Sequence, residues 1–246
     1  MILANLRQRL TPDDHRLVLA MLSGGEPGRR ARLERRTAEE GPDGLLDDPE
    51  LPGLLLHAPG YATPSAPLFI FVAVRHALRR AGLDDRRLAD YVGAMVFEFG
   101  LKDRAWRAAP HDDDEFHTLT DIVSAAEQNE GRRGFLLLAH LGNYSLWLAG
   151  LFPDRVAERR QRRGGPGFSY YETLGARGFR MASDDDLAAR LELADVYAHV
   201  AERFGAIRVA LNRLSDEAFF RTGGTERLLR QAADAVAFPP PAQPLF

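Results

Sequence analysis

The chain has 246 residues, 45% of them apolar and 27% charged, with a formal net charge of -3. That is enough apolar material for one large core, and the charge balance excludes a global nucleic-acid footprint. The absence of cysteine excludes a disulfide frame, thiolate catalysis and cysteine metal sites.

From the first residue, no long apolar stretch with a small-residue cleavage site follows Met1, so the cytoplasm is the expected compartment. Thr11 is placed to cap a helix starting at Pro12, with Asp13 and Asp14 at its positive end and Gly24-Gly25 as its stop. Pro27 opens a charged segment, closed by Gly41, with so few apolar residues that it reads as a surface helix or an arm. Between Pro42 and Gly60, Pro49, Pro52 and Pro59 allow short helical turns at most. Ser65 caps the next segment, predicted as a helix over Ala66–Ala81. Its LFIFVAV core also fits a buried strand, so residues 66–75 are open between the two.

Asp84 or Asp85 starts a helix through Leu88, Tyr91, Val92, Met95, Val96 and Phe99, stopped by Gly100. A short piece around Trp106 ends before Pro110, and a helix is predicted over Asp112–Gln128. After the central run come a short basic helix, Asp154 to Arg163, the turn Gly164–Gly167, and one or two helical turns from Phe168 ending near Gly175 or Gly178. Ser183 is expected to begin a long helix stopped by Gly205, followed by a helix over Ile207–Phe220. Thr225 caps a last helix, and residues 239–246 form a proline-rich extended tail. The fold class predicted is all-α: a single domain over residues 1–238, of about eight to ten helices with short connections, wrapped around one central helix.

That central helix is Gly134 to Phe152, a 19-residue run without formal charge when His140 is neutral. Its length approaches a bilayer span. His140, Asn143, Tyr144 and Ser145 sit mid-run, where lipid disfavours them, and arginines flank both ends. The run therefore reads as a buried core helix, with no membrane partner expected. His140, Asn143, Tyr144 and Trp147 follow i, i+3, i+4, i+7 and share one face. This polar-aromatic stripe admits two readings: a ligand pocket, or a buried hydrogen-bond network that sets helix register. Gly142 and Ala149 lie off the stripe, where another helix can approach closely.

The segment His111–His117, HDDDEFH, places His111 with Glu115 and Asp113 with His117 at i, i+4. On a helix each pair could chelate a divalent metal. The three aspartates also suit a helix N-terminus, and that reading is preferred because Asp184–Asp186 repeat the pattern without histidine. No metal or cofactor is therefore expected. Gly164–Gly167, after an arginine run, reads as a loop with a basic rim; the phosphate-binding pattern G-x-x-x-x-G-K-[ST] is absent. Tyr170 and Tyr171 read as packing residues.

His140 to Val156, HLGNYSLWLAGLFPDRV, resembles a segment of a group of bacterial helical proteins without an assigned activity. In that group a His-(Leu/Ile)-Gly-(Asp/Asn)-aromatic motif leads to an aromatic-Pro end. The resemblance covers this helix and the Tyr171–Ser183 region, and Asn143 stands where Asp is common. It implies a bacterial helical protein and assigns no functional residue. Two functions stay open. One is a non-enzymatic helical protein that binds a small ligand, a protein partner or a second copy of itself. The alternative is a metal-dependent or general-base enzyme using His140 with other histidines or acids.

Overall fold

The computed structural model describes residues 1–58, 63–101, 103–219, 231, 234, 237 and 238, without the side chains of residues 40, 163 and 219. Among them there are twelve α-helices and no strand. The excess over the expected number comes from helices of four to six residues, Asp43–Leu46, Leu51–Leu56 and Asp186–Arg190. The Thr225 cap and the 239–246 tail lie outside the described residues.

α1 (Pro12–Ser23) begins with a reciprocal capping box between Thr11 and Asp14. α2 (Pro27–Glu40) is the charged surface helix, touching the core through Leu33. α3 (Asp43–Leu46) and α4 (Leu51–Leu56) are the short turns the prolines allow. α5 (Ala66–Arg80) settles residues 66–75 as helix: Ser65 Oγ accepts from Leu68 N at 3.2 Å, and Phe71, Val72 and Val74 are buried. α6 (Arg86–Phe99) starts at the Asp85 cap.

α7 runs over Leu119–Glu127, not from Asp112. The aspartates do not load a helix end. Asp112 and Asp114 are taken by Arg133, and Thr118 caps the helix through Asp121 N. Residues 111–117 are consequently an irregular strap.

α8 (Gly131–Leu151) is the central helix. It is also the one helix among the described residues long and apolar enough to cross a membrane, and 78% of its most apolar stretch is buried inside the protein. α9 (Pro153–Arg163) ends at Gly164, whose left-handed backbone (φ 61°) closes the last turn onto Arg159 O.

α10 (Phe168–Ser183) is a 16-residue helix, longer than expected because Gly175 and Gly178 do not end it. They are contact positions. A Cβ on Gly178 would stand 2.8 Å from Leu138 O and 3.0 Å from Gly142 N. One on Gly142 would meet the Phe179 ring at 2.6 Å, which confirms the close approach read from Gly142. α8 and α10 thus meet nearly backbone to backbone.

Ser183 closes α10 instead of opening a helix; Asp185 caps the short α11 (Asp186–Arg190). α12 (Ala194–Leu214) passes through Gly205, with the expected break softened to a kink at Arg203 (φ -108°, ψ 16°). Its Asn212 Nδ2 donates to the Ala149 and Gly150 carbonyls at 2.7 Å each, and Ser215 Oγ to Leu151 O at 2.8 Å. These bonds satisfy carbonyls that the end of α8 leaves open.

The seam gives a test. Gly178→Ala should destabilise by about 2 kcal/mol, because rigid backbone would have to move. Gly28→Ala, in α2 with nothing within 4 Å, should be neutral or stabilise by a few tenths. Thermal melts of both variants decide it; an unchanged melting temperature for Gly178→Ala would contradict the close approach.

Candidate functional site

α8 does carry His140, Asn143, Tyr144 and Trp147 on one face, and three of them form a ring ladder. His140 stacks on Tyr144 at 5.8 Å, and Tyr144 on Trp147 at 5.9 Å. Phe99 of α6 sets its edge against both His140 and Trp147, and Phe116 of the strap leans on His140. Asn143 turns to α6: Tyr91 O–H donates to its Oδ1 at 2.8 Å, while its Nδ2 donates to Ala139 O at 2.8 Å. Tyr144 O–H donates to the His117 carbonyl at 3.2 Å, pinning the strap.

His140 is 3% exposed, and its Nε2 has no hydrogen-bond partner among the described residues. Burial, helped by the positive charge of Arg104, drops its pKa to about 3. The imidazole is therefore neutral at physiological pH. The space beside it, also lined by Arg104, Phe99 and Asn143, is about 10 Å³, the scale of one water. No substrate can reach the ring without opening the core, so as a general base it is both weak and inaccessible.

The His111–His117 segment is spread out by its own ion pairs. Glu115 is held by Arg107, and His117 lies against Trp106 with ring centroids 5.0 Å apart. His117 Nε2 is 3.6 Å from Glu115 Oε2. Among the described residues no three histidines and acids converge on a point where a metal could sit. Without a helix, the i, i+4 spacing of His111 with Glu115 brings no chelating geometry.

Open space lies on the other side of the strap. A cavity of about 450 Å³ separates the start of α7 from the turn between α9 and α10. That volume falls in the range of small-molecule sites. Its first wall is His117, Thr118, Leu119 and Thr120; its floor is Leu148 of α8. Opposite stand Arg159, the Gly165-Pro166 turn, Tyr170 and Tyr171. No carboxylate among the described residues lines it.

Arg159 is exposed and forms no ion pair with any described residue, unlike Arg162, which holds Glu158 at 3.0 Å. Burial raises the pKa of the Tyr144 hydroxyl, and the positive charges of Arg155 and Arg159 oppose that rise. Of those two arginines, Arg159 lines the cavity itself. Tyr170 is 37% exposed; Tyr171 is buried in packing, as read from the sequence.

Comparison with known proteins finds no match. No family model, no curated protein and no solved structure resembles the chain closely enough to align with it. The site must therefore be read from its own chemistry. The basic-rimmed glycine turn was visible in the sequence. Its meeting with Thr118 and Thr120, about 45 residues earlier in the chain, was not, because only the packing of α7 and α10 on α8 brings them together.

Proposed function

We propose that this is a bacterial small-ligand-binding protein, and that its ligand is an organic anion held in the cavity between α7 and the α9–α10 turn. The observation that carries this is Arg159, a guanidinium without an ion-pair partner among the described residues, standing over a half-enclosed space of about 450 Å³. Arginine presents planar paired donors that suit carboxylate and phosphate groups. Thr118 and Thr120 supply hydroxyls and Tyr170 an aromatic wall, the usual mixture of an apolar pocket with a few orienting polar groups. Binding is favoured over turnover because His140 does not line this cavity and is sealed in a separate space of about 10 Å³. The near-exclusive use of arginine, with Lys102 the only lysine, supports the bacterial origin.

Calorimetric titration with benzoate, phenyl phosphate and octanoate tests the proposal. At least one should bind, and Arg159→Ala should weaken it roughly ten- to a hundredfold, the worth of a charge-assisted hydrogen bond. Arg162→Ala, already paired and outside the cavity, should leave affinity unchanged. Equal affinity of the Arg159→Ala and unaltered proteins would remove the proposal.

A further inference from the structure

A second cavity, of about 210 Å³, lies between the same three helices. Three helices place it. Along α8 the floor passes from Leu148 in the first cavity to Leu141 and Leu138 in the second. Along α7 the wall passes from Thr120 to Val123 and Ala126; along α10 it passes from Tyr171 to Leu174 and Met181. All three helices step in the same order, so the two spaces lie end to end between α7 and α10 with α8 beneath. The chemistry changes along the way. The first space has Arg159, which pairs with no described acid, together with hydroxyls and a tyrosine ring. The second is walled mainly by aliphatic side chains, with Met181 44% exposed, and its polar lining of Asn129, Arg177 and Glu127 sets one carboxylate against one cation.

An exposed thioether and aliphatic wall in line with a cation that no described residue pairs fit one class of occupant. We propose that the ligand is a monomeric amphiphile, with an anionic head at Arg159 and an unbranched alkyl tail running toward Met181. The inference rests on the anion-binding reading above and adds the tail. The rise from Leu138 to Leu148 along α8, about 15 Å, is the length of an extended chain of roughly twelve carbons. Methionine suits such a wall because its flexible side chain follows an unspecific apolar surface.

The test is a series of soluble straight-chain alkanoates, butanoate to decanoate, titrated into the full-length protein by calorimetry, with alkyl phosphates of the same lengths as a second arm. Affinity should rise about three- to fourfold per added methylene. Ala126→Trp, which fills the second cavity only, should bring decanoate down to the affinity of butanoate while leaving butanoate binding and the thermal melt unchanged. If no anion binds, the anion reading and this inference fall together. If butanoate binds and longer chains bind no tighter, or if Ala126→Trp leaves the chain-length dependence intact, the amphiphile alone is overturned. Sedimentation showing a dimer that Ala126→Trp dissociates, with no chain-length dependence, would instead make the groove an interface between copies. Recruitment to phosphatidylglycerol vesicles without binding of soluble decanoate would likewise overturn a monomeric ligand.

Discussion

Between pH 7 and 4.5 His140 alone should cost the protein about 2.5 kcal/mol of stability, a loss that His140→Leu should remove. The folded imidazole titrates near 3 because burial, then Arg104, disfavours its charged form. In the unfolded chain it titrates near 6.5. Its folded pKa is thus depressed, and a depressed basic group works in one direction. Above pH 6.5 both states hold it neutral and stability is complete. As pH falls from 6.5 toward 3, the unfolded state takes up a proton that the folded state refuses, and stability drains away, reaching about 4 kcal/mol by pH 3.

The range above pH 4.5 keeps clear of Asp47. Burial would raise that carboxyl, but hydrogen bonds from Arg75 and Arg86 hold it down at about 2, so its contribution fades only below pH 4. Leucine suits position 140 because Nε2 has no described partner to lose. Urea midpoints across the pH range measure the effect. Parallel profiles for the two proteins would show that His140 is not the neutral core residue described here.

Arg208→Ala should cost about 3–5 kcal/mol, the usual result of removing one member of a buried ion network. Arg208 is 4% exposed. Its Nε donates to Glu172 at 2.7 Å, and its Nη1 to Asn212 Oδ1 at 2.8 Å and Asp234 at 2.9 Å. Its guanidinium carbon lies 4.6 Å from the centre of the Phe168 ring. The substitution strips a cation that two carboxylates share and frees Asn212, the side chain that closes the end of α8. Arg208→Lys should recover less than half the loss, since one ammonium cannot reproduce the guanidinium fork. A loss under 1 kcal/mol in urea denaturation would show that the network is not coupled to the core helix.

Local signals were legible where they act locally. Thr11, Ser65 and Asp85 cap the helices their sequences announce, and the 3-and-4 spacing from Leu88 to Phe99 is the buried face of α6. The stripe on α8 was legible as a stripe, since helical geometry alone puts His140, Asn143, Tyr144 and Trp147 on one side. The misread boundaries share one cause. Gly175, Gly178 and Gly205 looked like stops, and Asp112–Asp114 looked like a helix start, but the glycines and two of the aspartates answer to distant partners. Glycine within α10 costs helix propensity, and contact with α8 through Leu138 and Gly142 repays it. Asp112 and Asp114 answer to Arg133, about 20 residues on.

The chain's own residues decided that it would be helical, with one apolar helix at its centre and most of the caps where they stand. Helix periodicity and capping depend on neighbours within a few positions, so a linear reading reaches them. The tertiary structure decided which polar face would be sealed and where space would remain. His140 and Asn143 are closed in by Phe99, Phe116 and Tyr91, residues up to about 50 positions away. The open groove exists because α7 and α10 both pack on α8, leaving Arg159 above space that no single segment outlines. Enclosure is a property of several elements at once, and no spacing along one helix encodes it.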